Sequence, residues 1–271
     1  MRKPFEELTI SDDFMFCKIM EHESLCRPFL EMLLSAKIEK ITYLSSQNNL
    51  STNSAAKTVR LDVLVKDKAG TSYDIEMQVG NQYNLPKRMR YYQAVLDISF
   101  LDQGCSYKTL NDSFIIFICL FDPIGCNRAI YTFENICIED KSIPLRDGTK
   151  KIILNANAFK KVDNGELQGF LQYVKTGEVT TEYTGRIEKM IQTVKISERA
   201  RKEYHILPAV IMDALDEGEA RGLERGKSIG LVEGSRQARL ETAKIMLTMG
   251  YPLGDICKIT GLSQDEVAAI S

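Results

Sequence analysis

Two short runs near residue 70 alternate apolar and polar positions with period two, as half-buried strands do. They are Val59-Arg60-Leu61-Asp62-Val63-Leu64-Val65 and Tyr73-Asp74-Ile75-Glu76-Met77-Gln78-Val79. A three-residue loop, Lys68-Ala69-Gly70, joins them, with glycine where a left-handed residue is wanted. That register sets Asp62 opposite Glu76. One face then carries Leu61, Val63, Val65, Tyr73, Ile75, Met77 and Val79, and the other Arg60, Asp62, Asp74, Glu76 and Gln78.

The rest of the pattern surrounds this hairpin with helices and buried strands. Ser11 is placed to cap a helix from Asp12, and a second helix is expected from Ser24 or Leu25 to Ala36, carrying Glu31. Lys37 to Leu44 reads as a strand, and Ser45 to Lys57, rich in Ser and Asn, as a loop. Pro86 suits the first turn of a helix running to about Leu101. Its buried stripe is Met89, Tyr92, Leu96 and Ser99 or Phe100, and Arg90, Gln93 and Asp97 share the opposite face. Asp112 to Phe121, Arg128 to Ile138 and Lys150 to Asn155 read as further strands. The implied class is α/β, a mixed sheet flanked by helices.

From Asn164 the pattern turns helical, over Leu167 to Lys175 and Tyr183 to Glu203. Gly218, Gly222, Gly226, Gly230 and Gly234 then recur every four residues among Glu, Arg and Lys. Each glycine costs a helix about 1 kcal/mol against alanine. The spacing lays them along one stripe where another helix can approach closely, and a partly helical linker is the plainer alternative. Helices are expected over Arg236 to Met249 and Pro252 to Thr260, with Ser263 to Glu266 forming a capping box for a last one. That end resembles a helix-turn-helix, but its last helix has no Arg or Lys with which to read a major groove. It suits self-association or docking better. Three segments are therefore expected: a core over 1–163, a helical extension over 164–216, and the glycine-spaced tail over 217–271.

Candidate chemistry centres on the hairpin. Two carboxylates directly across an antiparallel pair repel one another. A hard divalent cation with oxygen ligands is one remedy; a nearby Arg60 or Lys66 is another.

Composition narrows the choice. The chain has two histidines, His22 and His205, so a Ser/His or Cys/His triad and a zinc site are disfavoured. Its seven cysteines include no C-x-x-C pair and several lie in apolar runs, as reduced core residues of a cytoplasmic protein do. The longest apolar run, Phe114 to Phe121, is too short to span a bilayer, and Met1 to Glu7 carries no apolar signal core. The formal net charge of −2 is unhelpful to nucleic-acid binding, although Lys87, Arg88 and Arg90 cluster beside the hairpin. If chemistry occurs, carboxylates and a hard metal must carry it.

An Asp, thirteen intervening residues and Glu-x-Gln on adjacent strands resembles the core of PD-(D/E)XK nucleases. The wider chain resembles the recombination-promoting nuclease and transposase branch of that superfamily. The likeness is carried by Leu8 to Phe16, by Asp62 to Gln78, by Lys87 to Gln93 and by the glycine-spaced tail ending in Ile259-Thr260-Gly261-Leu262-Ser263.

The resemblance implies a PD-(D/E)XK nuclease-like fold and a Mg²⁺-dependent endonuclease acting on DNA, with Mn²⁺ as a possible substitute. Asp62, Glu76 and the backbone carbonyl of Met77 would hold the metal, with Asp62, Glu76 and Gln78 as the catalytic set. The superfamily's usual third member is Lys, so Gln78 is a departure: Gln can hold a water but carries no charge. Arg88, Arg90 and Gln93 are candidate DNA phosphate contacts, and Glu31 and Tyr91 possible auxiliaries. The rival readings are an inactive nuclease-fold protein that assembles through its C-terminal helices, and a regulator that binds DNA through them.

Overall fold

The computed structural model describes residues 3–44, 49–50, 59–101 and 103–270. The chain forms two compact units, Met1–Tyr204 and His205–Ser271. Strands β1 (Ile41–Tyr43), β4 (Val63–Asp67), β5 (Ser72–Gln78), β6 (Ser113–Cys119), β7 (Ile130–Phe133) and β8 (Thr149–Asn155) make one sheet in the order β1-β4-β5-β6-β8-β7. Pairing is antiparallel from β1 to β5, parallel across β5, β6 and β8, and antiparallel again at β7. A separate two-stranded sheet pairs β2 (Asn49–Leu50) with β3 (Val59–Arg60). β2 lies in the stretch Ser45 to Lys57 that was expected as loop, and β3 begins the run expected as strand; the rest of the 45–57 stretch lies outside the described residues. The expected mixed α/β sheet is what is observed.

Helices cover both faces. Helix α1 (Asp13–Met20), α2 (Glu23–Leu34), α4 (Gly165–Thr176) and α5 (Glu182–Ile196) contribute to the larger core. That core includes Val63, Val65, Tyr73, Ile75, Met77, Ile116, Ile118, Ile152 and Leu154 from the sheet. Helix α3 (Leu85–Phe100) links β5 to β6 as the crossover that a parallel pair requires. With Leu85, Met89, Val95 and Leu96 it covers the opposite face, over Leu64, Ile115, Phe117, Cys119 and Ile153.

The hairpin register is the one read from the sequence. Val63 faces Ile75 and Leu64 faces Asp74, which carries Asp62 to Glu76. The turn is also as expected: Gly70 has φ +99°, and its N–H donates to the Asp67 carbonyl.

Several expectations need correction. Leu61 packs with Leu64 under α3, not with Val63, because the strand breaks at Leu61–Asp62 and the alternation loses phase there. Val79, assigned to the apolar face, is exposed beyond the end of β5. Gln93 is buried, not on an exposed face of α3, and Ser99 is exposed. Asp12 rather than Ser11 occupies the N-cap position of α1. Cys105 and Cys126 are exposed, although all seven cysteines are free. The helix expected to run on to Glu203 ends at Ile196, where the N–H of Ser197 bonds the Val194 carbonyl.

Beyond that cap, α6 (Glu198–Thr248) is one continuous helix spanning all five regularly spaced glycines. Of the two alternatives read from the glycine spacing, a helix with a glycine stripe and a partly helical linker, the helix is the one observed, despite the poor helix propensity of glycine. A Cβ built at Gly230 or Gly234 meets nothing within 4 Å. In the second unit, α7 (Leu253–Thr260) ends at left-handed Gly261, and Ser263 and Glu266 form the expected capping box of α8 (Gln264–Ala268). Ala243, Met246, Ile256, Leu262 and Val267 form its small core. No described helix is long and apolar enough to cross a membrane.

Candidate active site

Strand β5 sits inside the sheet with helices over both faces, so both of its side-chain rows are buried. The row under α3 is Ser72, Asp74, Glu76 and Gln78, at 1%, 0%, 2% and 8% exposure. Burying ionisable groups is costly unless they are paired or neutralised. The partners of each acid therefore decide what the row can do.

Asp62 and Glu76 are tied across the hairpin by reciprocal backbone contacts. The Asp62 N–H donates to Glu76 Oε1 at 2.8 Å, and the Met77 N–H donates to Asp62 Oδ2 at 3.1 Å. The break in the strand at Asp62 leaves its own N–H available for this bond. Glu76 Oε2 faces the guanidinium of Arg88, at 3.3 Å from Nη2. Arg88 Nη1 donates to Gln78 Oε1 at 2.7 Å, and Gln78 Nε2 donates to the Gly80 carbonyl at 2.5 Å. The guanidinium lies over Phe117, 5.0 Å from the ring centre, and Tyr92, at 5.3 Å. The charge that meets the acids thus comes from α3. Lys66 instead lies over Phe100, and the side chain of Arg60 is outside the described residues.

Asp74 was placed on the polar face in sequence but given no role. It is wholly buried, and no N–H or hydroxyl donor of the described residues bonds either carboxyl oxygen. The neighbouring Glu76 carboxyl and the Arg88 guanidinium offset only part of the cost of burying it. Burial first, and then the charge of Asp62, holds the Asp74 carboxyl well above the usual carboxylate range. Burial, then Asp74 and then Asp62 do the same for Glu76. Tyr92 is pushed up to about 12 by burial and by the charge of Glu76. One guanidinium does not cancel this crowding of acids. The signal in sequence was Asp74 sharing a phase with Glu76 and Gln78; a single hairpin does not reveal that a helix covers that phase.

The other candidates fall at varying places. Gln93 Nε2 donates to Asp97 Oδ1 at 3.0 Å and to Ser113 Oγ, so its amide is engaged inside the fold. Arg90 and Tyr91 are exposed on α3. Glu31 accepts the Ile38 N–H at 2.9 Å and so holds the chain leaving α2.

Hard oxygen donors dominate the site, as a divalent cation such as Mg²⁺ prefers. Among the described residues, no group of three or more His, Cys, Asp or Glu is arranged to hold a metal ion. Any such ion would need the Met77 carbonyl, water or a substrate oxygen to complete its shell.

Comparison with known proteins gives two matches. The sequence pattern of the family described as PD-(D/E)XK nuclease family transposase matches residues 11–207. Recombination-promoting nuclease RpnA of Escherichia coli (strain K12) is 54% identical over 39 residues, 14% of this chain and 13% of that protein. No solved structure matches.

Proposed function

The chain belongs to the PD-(D/E)XK nuclease family transposases, and from that premise we propose that it is a metal-dependent DNA endonuclease acting through the polar row of β5. The observation that carries the reading is the crowding of three acids, the buried Asp74 and Glu76 and the half-buried Asp62, beside one guanidinium. A structural role alone leaves that crowding unexplained, since apolar residues would fill the row at lower cost.

Asp62, Glu76 and the Met77 carbonyl hold Mg²⁺ in this reading, with Mn²⁺ able to replace it. Bound there, the cation lowers the pKa of a coordinated water and offsets charge developing on the phosphate. The cross-strand bonds from the Asp62 and Met77 N–H groups fix the two carboxylates in orientation before any ligand arrives. Gln78 cannot supply the charge of the family's usual Lys, but it holds Arg88, which can. Arg88 and the exposed Arg90 take phosphate oxygens of DNA. In hydrolysis the water oxygen bonds phosphorus, one P–O bond breaks, and the departing oxygen takes up a proton.

A role in recombination or mobile-element transfer is part of this reading, and the free cysteines suit a cytoplasmic location. Self-association through the C-terminal helices is favoured by five glycines at four-residue intervals in one helix, with open space at Gly230 and Gly234. An inactive fold used for assembly is the rival.

Cleavage of supercoiled plasmid by the purified protein separates the two. Nicking is expected with Mg²⁺ or Mn²⁺ and not with EDTA, and Asp62→Ala and Glu76→Ala, folded by circular dichroism, should each lose about a hundredfold or more in rate. No cleavage by the wild type, or equal cleavage by the variants, overturns the reading in favour of the assembly protein.

A further inference from the structure

Glu76 has two carboxyl oxygens, and the fold assigns them different work. Oε1 is fixed by the Asp62 N–H at 2.8 Å, inside the hairpin. Oε2 is the oxygen that meets Arg88. The contacts of Arg88 with Gln78 and Glu76 are unequal. Its contact with Gln78 is 2.7 Å, a strong hydrogen bond to a neutral acceptor. Its contact with the Glu76 carboxylate is 3.3 Å, longer than the roughly 2.7–2.9 Å of a charge-assisted bond. The guanidinium also rests on two aromatic faces, and its Nε is buried with no partner among the described residues. Arg88 is thus anchored by Gln78, Phe117 and Tyr92, and joined to the acid by its weakest link.

We propose that Arg88 and the divalent cation are alternative occupants of Glu76 Oε2, so that metal loading turns the guanidinium away from Glu76 and delivers it to a DNA phosphate. This rests on the reading of β5 as a metal site. Two cations at one carboxylate oxygen repel strongly in a buried site. Arg cannot relieve this by losing its proton, so it must move. The anchors limit the movement to a rotation about Gln78 and the rings, which keeps the charge beside the site. Gln78 in place of Lys then acquires a purpose, since a neutral amide can hold a guanidinium that an ammonium would push away.

The test is calorimetric titration of the full-length protein with Mn²⁺ in the absence of DNA, for wild type, Arg88→Met and Arg88→Lys. Arg88→Met should bind Mn²⁺ about tenfold more tightly, the order expected when a close charge competitor is removed. Arg88→Lys should fall between, and it carries the test if Arg88→Met does not fold. Equal or weaker binding by the folded variants overturns the proposal while leaving the metal site standing. No Mn²⁺ binding by any of the three overturns both.

A second readout separates exchange from simple charge removal. With Ca²⁺ as a further oxygen-seeking cation, the salt dependence of DNA binding should be shallower in Arg88→Met by about one phosphate contact. Without metal, wild type and variant should have equal slopes. Unequal slopes without metal mean that Arg88 already holds phosphate, and overturn the exchange.

Discussion

Strands β5 and β6 are neighbours in parallel register, and both are buried on two faces. Ser72 pairs with Ser113, Asp74 with Ile115, Glu76 with Phe117 and Gln78 with Cys119. A strand in that position is ordinarily a near-continuous apolar run. β6 obeys, with Phe114 to Cys119 apolar throughout. β5 obeys on one face only, where Tyr73, Ile75 and Met77 join the larger core. On the other face it sets acids at the rungs where β6 sets Ile115 and Phe117. One helix, α3, covers both rows, supplying Leu85, Met89 and Leu96 to one and Arg88 to the other. The acids of this pair are thus confined to one face of one strand, beside the guanidinium that α3 supplies, while the next strand stays apolar on both faces from Phe114 to Cys119.

Single rungs can break that comparison. The largest effect on stability is expected at Ile115, which is wholly buried. Ile115→Ala should lose about 3–4 kcal/mol in urea unfolding, from lost burial and the cavity left behind. At the partner position, Asp74→Asn should act with the opposite sign. Asp74 is held well above its ordinary range, mainly by burial. A carboxyl raised in the folded state contributes stability below its unfolded pKa and loses it as pH rises through the folded value. The asparagine variant never takes on the charge. In EDTA it should therefore match the wild type near about pH 4, and exceed it by about 2 kcal/mol at pH 8, the order of one uncompensated buried charge. A destabilised Asp74→Asn at pH 8 would mean that the acid is answered by a partner in the resting protein. The smallest effect belongs to the polar end of β6. Ser113→Ala leaves the Gln93 amide one acceptor short and should cost about 1 kcal/mol in the same unfolding measurement.

Much of this was legible in sequence because local rules fixed it. Period-two alternation and Gly70 set the hairpin register, and with it Asp62 opposite Glu76. Pro86 announced α3, and Gly261 with Ser263 announced the last turn of the second unit. What was missed depends on contacts distant in sequence. Asp74 looked like a solvated acid until α3 was laid over its row. Gln93 looked exposed until Ser113, twenty residues on, received its amide. Leu61 changed faces because the strand starts only at Val63, so the alternation that holds from there does not extend back across the break. A divalent cation, or else Arg60 or Lys66, was expected to answer the acids; the side-chain cation found beside Glu76 is Arg88, from the following helix.

The claim that the polar row of β5 is a metal site is tested most directly by crystals grown or soaked in millimolar Mn²⁺ and examined by anomalous scattering. A manganese peak bonded to carboxylate oxygens of Asp62 and Glu76 is expected, absent from Glu76→Ala crystals treated in the same way. An empty row at that concentration, or manganese bound only elsewhere, would contradict it.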